Sequence, residues 1–459
     1  MPSSLCPPPA EAASPAARAA VLPPLSLRVN FAWNLVGHGV YGACQWGMLI
    51  ALAKLGSPEI VGRFTLGLAL CAPVVMFANL HLRAIEATDA RHQFRFRDYL
   101  SLRLSTSALA LAVIAAIAAL GGYRLEVVLV ILGIGLAKSV ESVSDIIYGI
   151  WQKHERLNLI AISLMIRGPA SLLALSLLVY LTRSVAWAAF GLFATSTLTL
   201  LTFDAVNALR FAPPGRPQGF LQAVRLLSLR GRLPVLRSLA WLALPLGVVS
   251  LLDSLNVNVP RYLIEKRLGE AALGYFAAMA YIMVAGNLVV GALAQSAAPR
   301  LARHYVEDRA AFARLLWKLV QFSAALALGG VLLAVLFGRP FLSLLYKPEY
   351  AAHADVFAWL MLAAGLGYIS RFLVSSMTAA RRIRAQAPLY ALSLLVLAAL
   401  CFYLVPNYGL AGAAWAICAG VAIVLIGAAA VNLRALRSPA PQEDDPRFAQ
   451  AAQMEDASG

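Results

Sequence analysis

A long apolar stretch in the first half of the chain carries three ionisable side chains. Lys138, Glu141 and Asp145 are spaced three and four residues apart, so they share one face of a helix. Arg167 lies in the next apolar stretch. A charge in the interior of a bilayer is unfavourable by roughly 2.5–3.5 kcal/mol on insertion scales, so such side chains face protein or a water-filled cavity. These positions therefore predict either ion pairs between helices or a cavity that binds an ion.

Both interpretations remain open from the sequence. Arg167 and Glu141 lie at similar depth in their helices, about ten residues from the inner ends, so an ion pair between them is geometrically allowed. In the other interpretation, Lys138 and Arg167 line a cavity for an anionic group, unless Asp145 neutralises the second cation. Arg371 has no acidic residue within a helical turn, so it either lines the same cavity or extends to the inner membrane surface.

Polar residues form two further stripes, one in the first apolar stretch and one at the start of the second half. Polar stripes on two equivalent helices predict a shared aqueous cavity, which makes Asn34, His38, Gln45 and Asp253 candidate binding residues. Interhelical hydrogen bonding is the alternative for the histidine, and solvation at the outer membrane surface is the alternative for the aspartate. The stripes are Asn30, Asn34, His38, Tyr41 and Gln45, and Ser250, Asp253 and Ser254.

The composition explains why these charges stand out. Of 459 residues, 61% are hydrophobic and 13% are charged, whereas a soluble domain carries about 25% charged residues. This excludes a soluble enzyme. Apolar runs long enough to cross about 30 Å of hydrocarbon recur throughout, and we predict an all-α membrane protein with twelve transmembrane helices. They are expected at 29–53, 60–82, 101–121, 125–151, 157–181, 185–207, 235–257, 271–295, 312–337, 354–379, 386–405 and 409–432.

Basic residues predict the orientation. Of the 38 lysines and arginines, 26 fall in the tails and the connections on one side, and 9 fall on the other side. The side richer in basic residues is cytoplasmic, so both termini are expected there. The net charge of +16 is spread over many short connections, which argues against nucleic acid as a partner.

A long basic connection at 208–234 divides the predicted helices into six and six. We therefore expect an N-lobe at 27–207 and a C-lobe at 235–435, with disordered cytoplasmic tails at 1–26 and 436–459. A short repeat supports this division. Both copies join the first and second helix of their lobe on the outer face, which predicts lobes related by a parallel pseudo-two-fold repeat and a closing gate at this place. The glycines of the repeat are Gly56 and Gly62 in the first lobe and Gly269 and Gly274 in the second.

Signatures of catalysis are missing. The sequence contains no P-loop, no HExxH and no Gly-x-Ser-x-Gly motif, and its outer connections are too short for a catalytic domain. The five cysteines show no CxxC spacing, so we expect no metal site and no cofactor. A coupling ion, H⁺ or Na⁺, remains open. Transport by alternating access is favoured over catalysis.

Four segments resemble the polysaccharide biosynthesis membrane proteins, the family of O-antigen and exopolysaccharide repeat-unit flippases in the multidrug/oligosaccharidyl-lipid/polysaccharide exporter superfamily. The resemblance covers about residues 27–435. The last segment is the most specific, and its small residues also permit close helix packing. The segments are Asn30–Asn34, Leu55–Phe64, Tyr148–Arg156 and Val405–Ala414.

The resemblance implies a bacterial inner-membrane flippase for an undecaprenyl-diphosphate-linked oligosaccharide, with basic side chains binding the pyrophosphate. It also implies glycosyltransferases, a polymerase and a chain-length regulator as pathway partners. A cation-coupled multidrug exporter is the first alternative, although the first helix lacks the carboxylate that such exporters use. A membrane-embedded polysaccharide polymerase or ligase is the second, although it usually needs a large outer loop.

Overall fold

A computed structural model describes residues 25, 27–89, 93–208, 211, 233–380, 382 and 385–437. Every regular element within these residues is helical. The predicted N-terminal tail apart from Leu25, most of the predicted 208–234 connection and the C-terminal tail beyond Arg437 lie outside the described residues.

The first half of the chain forms long helices with tight connections. Pro58 starts the second helix, where its missing N–H has no intrahelical role. After the seventh helix the chain continues through a π-helical turn, Leu200–Asp204, into the short α8, Ala205–Ala208. The preceding helices are α1 Leu27–Leu55, α2 Pro58–Asn79, α3 Leu82–Thr88, α4 Phe96–Leu120, α5 Leu125–Lys153, α6 Leu157–Thr182 and α7 Val185–Thr199.

The second half contains longer helices. Between two of them, Asp308 accepts hydrogen bonds from the amides of Ala310 (2.8 Å) and Ala311 (2.9 Å) and caps the following helix. These amides, Ala311 first, hold the pKa of the Asp308 carboxyl below its ordinary value. The helices are α9 Leu233–Leu268, α10 Glu270–Glu307, α11 Arg309–Leu345, the 3₁₀ turn Pro348–His353, α12 Ala354–Ala379 and α13 Gln386–Arg437.

Ten helices in the described part are long and apolar enough to cross a membrane. The eighth predicted span lies in α10, whose described apolar part is Glu270–Met283. The last two predicted spans lie in α13, where Gly409 departs from helical geometry (φ 60°, ψ −138°). This break falls at the first residue of the last predicted span, directly after the turn predicted at 406–408. The structure thus confirms an all-helical membrane fold, while the number twelve stays a prediction.

The two halves meet along α2. This helix packs against α9 and α10 of the second half as well as against α5 of its own half. Elsewhere α1 packs on α6, and α9 packs on α13. Helix α9 is therefore held between α2 on one side and α13 on the other, and this arrangement positions the site described next.

Candidate functional site

A cavity of about 570 Å³ lies among the helices of the second half. Its walls come from α9, α10, α12 and α13, and His81 is the residue of the described first half that lines it. This volume falls within the range of about 300–1,000 Å³ that is usual for small-molecule sites. The polar lining residues include Ser250, Asp253, Asn256 and Arg261 of α9, Asn287 of α10, Ser370, Arg371 and Ser375 of α12, and Gln386, Tyr390 and Ser393 of α13.

Arg261 presents a guanidinium group with few partners to this cavity. Its Nη1 donates a hydrogen bond to Oδ1 of Asn258 (2.9 Å), whereas its Nε is buried without an acceptor. The Asn258 amide in turn donates to the backbone oxygen of Ser254 (2.8 Å). No carboxylate among the described residues lies within 4.0 Å of Arg261. A half-buried cation without a counter-ion among the described residues is suited to binding an anion.

Sequence reasoning missed Arg261 because it ended the seventh predicted helix at 257. Pro260 and the polar residues around it interrupt the apolar run, yet α9 continues to Leu268. The signal was nonetheless present. Ser250, Asp253, Val257 and Arg261 follow one another at helical spacing and line one cavity, so the predicted polar stripe extends two turns further.

Arg371 and Asp253 line the same cavity from α12 and α9. The sequence left open whether Arg371 lines a cavity or extends to the membrane surface, and whether Asp253 is solvated at the outer surface; in the structure both side chains contribute to the cavity wall. Arg371 and His81 both lie close enough to interact electrostatically with Asp253. Ser393 donates to Oδ1 of Asn256 (3.2 Å), which joins α13 to α9 beside these charges.

The charges of the first half neutralise one another. Lys138 donates to Glu141 (2.8 Å), and Arg167 donates to Asp204 (2.9 Å) and to the hydroxyl of Ser144 (2.7 Å). The ion pair between Arg167 and Glu141, which their similar depth in the membrane allowed, is therefore replaced by two other ion pairs. Asp204 was not singled out from the sequence, and it reaches Arg167 because the π-helical turn after α7 places it there.

Asp145 has arginine partners that the sequence did not predict. It accepts from Arg103 (3.2 Å) and from Arg83 (3.4 Å), and Arg103 is fully buried and also bonded to Asn79. Asp145 therefore joins α3, α4 and α5 near the end of the first half that the sequence predicts to be inner. Neither this carboxylate nor the charged pairs of Lys138 and Arg167 line the 570 Å³ cavity.

The polar residues of α1 bond mainly to nearby backbone. Asn30 donates to the backbone oxygen of Glu155 (2.8 Å) and accepts from the amide of Leu157 (3.0 Å), which fixes the α5–α6 connection. A ring nitrogen of His38 bonds to the backbone oxygen of Asn34 (3.0 Å). Asn34, His38 and Gln45 are not among the residues that line the described cavity.

The predicted gate glycines Gly62 and Gly274 meet where α2 and α10 cross. A Cβ atom added to Gly62 would lie 1.8 Å from the backbone oxygen of Glu270, and one added to Gly274 would lie 2.0 Å from that of Pro58. Any larger residue would force the helices apart, so glycine is required at both positions. The contact is reciprocal, since each glycine touches the helix that carries the other.

Charged side chains reinforce this crossing. Arg63 donates through Nη1 to Glu126 (2.6 Å) and through Nε to Glu270 (2.7 Å), and the second bond joins the two halves. Lys347, before the 3₁₀ turn of the second half, donates to the backbone oxygen of Gly56. Gly269 starts α10 in a left-handed conformation (φ 88°). The halves are therefore in close contact on the side that the sequence predicts to be outer.

The described part of the chain contains no group of three or more histidine, cysteine, aspartate or glutamate side chains placed to hold a metal ion. Arg261, Arg371 and Asp253 are acidic or basic side chains on the cavity wall, beside side chains able to form hydrogen bonds.

Comparison with known sequences gives two matches. The sequence profile of a family described as polysaccharide biosynthesis protein matches residues 27–304. The capsular polysaccharide biosynthesis protein CapF of Staphylococcus aureus is 26% identical over 403 residues, which cover 86% of this chain and 97% of CapF.

Solved structures share the fold at low sequence identity. The lipid II flippase MurJ in an inward closed conformation matches with a TM-score of 0.66 and 12% identity over 89% of each chain. An inward-facing multidrug resistance transporter of the MATE family and MOP superfamily matches with a TM-score of 0.61 and 15% identity, covering 90% of this chain and 95% of the other. A MOP superfamily transporter from Pyrococcus furiosus gives 0.59 and 15%, over 90% and 96%.

Proposed function

Because this chain belongs to the polysaccharide biosynthesis protein family, we propose that it is a flippase that carries an undecaprenyl-diphosphate-linked oligosaccharide from the inner to the outer leaflet. Membership confirms the resemblance stated from the sequence. The observation that carries the substrate assignment is Arg261, a cation on the cavity wall whose Nε is buried without an acceptor. A diphosphate supplies the acceptors that this guanidinium lacks.

The other lining residues suit a glycan head group. Arg371 supplies a second cation, and amide and hydroxyl groups, such as those of Asn287 and Ser370, can bond to sugar hydroxyls. A cation-coupled multidrug exporter is less consistent with the lining of this cavity. Asp253 is the one carboxylate among the described lining residues, and two arginines accompany it. The charge of the cavity favours an anionic substrate.

Alternating access supplies the movement. The Gly62–Gly274 crossing and the Arg63–Glu270 bond close the predicted outer side, so this arrangement corresponds to a state from which the substrate leaves only after the lobes rock apart. The reciprocal glycine contact supports lobes at 27–207 and 235–435 related by a pseudo-two-fold axis. Both termini and the 208–234 linker lie in the cytoplasm of a bacterial cell, beside the glycosyltransferases, polymerase and chain-length regulator of the pathway.

The decisive experiment replaces Arg261 and measures translocation in proteoliposomes with a fluorescent diphosphate-linked oligosaccharide lipid. A hydrogen bond to a charged group contributes about 1.5–3 kcal/mol, so Arg261→Gln should lower the rate roughly 10- to 150-fold, and Arg261→Lys should lower it less. The matched control is Arg267→Gln, because Arg267 lies on the same helix and packs on Phe402 instead of lining the cavity. Wild-type translocation by a folded Arg261→Gln variant would refute the assignment.

A further inference from the structure

A second cavity, of about 430 Å³, lies between α2, α4 and α9. It opens on the surface of the helix bundle, since Leu109 and Trp241 on its wall are 66% and 63% exposed. Thr106 and Arg237 are the polar residues among its described lining residues. We call this cavity the α2–α4–α9 groove, and its apolar wall includes Val74, Phe77, Leu109, Val113, Trp241 and Leu244.

The groove adjoins the polar cavity at two places in the chain. Leu80 lines the groove and the next residue, His81, lines the polar cavity. Likewise Ser250 lines the polar cavity and Leu251 lines the groove. Gly247 of α9 lets Leu80 pack closely against that helix, because a Cβ atom at position 247 would lie 2.7 Å from a methyl group of Leu80. The two spaces are thus lined by neighbouring residues of the chain at two places.

The backbone at this wall is unusual. Leu80 and His81 both adopt left-handed conformations (φ 49° and 50°), which residues other than glycine rarely take. Two such residues in succession are unfavourable unless their surroundings hold them, and conformations of this kind cluster at ligand sites. This bend directs one side chain into each space, so the strained segment is the boundary between the polar cavity and the apolar groove.

We propose that the α2–α4–α9 groove holds the isoprenoid chain of the substrate while its diphosphate and sugars occupy the polar cavity. This inference rests on the proposed function. When the head group lies inside the cavity, its chain must leave through the cavity wall to reach lipid, and Leu80–His81 and Ser250–Leu251 are where neighbouring residues line the two spaces. The groove runs along α9 from Arg237 to Leu251, about 21 Å at the rise of a helix, or roughly two thirds of the hydrocarbon thickness.

A bulky residue in the groove tests this assignment. Val113→Trp should fill the groove, and Leu177→Trp is the matched control, since Leu177 is an exposed apolar residue of α6 outside it. We expect Val113→Trp to lower translocation of the long-chain substrate about tenfold, equivalent to about 1.4 kcal/mol, and to leave binding of a water-soluble short-chain glycan diphosphate within about twofold. Leu177→Trp should change neither measurement.

Photo-crosslinking identifies the occupant. A polyprenyl diphosphate with a diazirine in its chain should label groove residues of the wild type, and excess unlabelled polyprenyl diphosphate should suppress this labelling. Equal labelling by a diazirine phospholipid that resists this competition would show that bilayer lipid fills the groove and would overturn the inference, as would full translocation by Val113→Trp. If the short-chain diphosphate fails to bind the wild type, the proposed function itself fails. If it binds but the groove results are negative, only the present inference fails.

Discussion

The Arg63–Glu270 bond should set the balance between the closed and open states of the outer side. It is the charged contact that joins α2 to α10, with an N–O distance of 2.7 Å and side chains 20% and 22% exposed. Two unit charges about 4 Å apart attract by about 4 kcal/mol at an effective dielectric constant of 20, and desolvation and side-chain ordering offset much of this. We take about 1–2 kcal/mol as the net contribution, which corresponds to about a 5- to 30-fold change in the ratio of the two states.

Spin-label distances can measure this ratio. In a background without cysteines, labels at Leu120 and Leu344 lie at the outer ends of α4 and α11, one in each half, and both positions are highly exposed. Glu270→Gln removes the charge and keeps the shape, so it should shift the population about 5- to 30-fold towards the longer distance. Charge exchange between Arg63 and Glu270 should restore closure only in part, because the new glutamate at position 63 would face Glu126.

The matched control is Arg183→Gln. Arg183 is an exposed outer arginine whose Nη1 bonds to the backbone oxygen of Leu55 within the same half, so its loss should leave the distances unchanged. A double-mutant cycle of Arg63→Gln and Glu270→Gln should give a coupling of about 1–2 kcal/mol. The role of this bond would be refuted if the effects of the two substitutions were additive and the ratio of the closed and open states changed less than about twofold.

Two further predictions concern the first half and the topology. Arg167→Ala or Asp204→Asn should each lower the thermal stability in detergent by the equivalent of about 3–5 kcal/mol, because each change leaves a buried partner uncompensated. The double variant Arg167→Met with Asp204→Leu should lose less stability than either single variant. A double variant that is less stable than either single variant would contradict the ion pair. In intact cells, a cysteine at the exposed Thr182 should react with an impermeant reagent and one at Gln93 should stay protected, and the reverse pattern would invert the predicted orientation.

The sequence predicted the helices well because apolar length is a local property. The break at Gly409 lies next to the turn predicted between the last two spans, and the repeat glycines Gly62 and Gly274 do meet. The partners of buried charges were harder to predict, since they depend on how helices pack. Depth alone allowed Arg167 to pair with Glu141, and only the tertiary arrangement shows that Asp204 takes this place.

The candidate cavity was predicted in part. Asp253 and Arg371 were named from the sequence and line it, whereas Arg261 was placed in a connection because the helix boundary was set too early. An error of a few residues at a helix end is ordinary for a hydropathy pattern. Its effect here is large, since it removed from consideration the cation on which the substrate proposal depends.

The π-helical turn Leu200–Asp204 makes the length of its segment as important as its composition. Such a turn holds one residue more than an α-helical turn, because its hydrogen bonds span five residues instead of four. Inserting one more residue there would rotate Asp204 by about 100° around the helix axis, because the turn already holds its one extra residue. Arg167 would then lose this carboxylate partner although every charged residue was retained. Selection on this segment should therefore tolerate exchanges of its leucines more readily than an insertion.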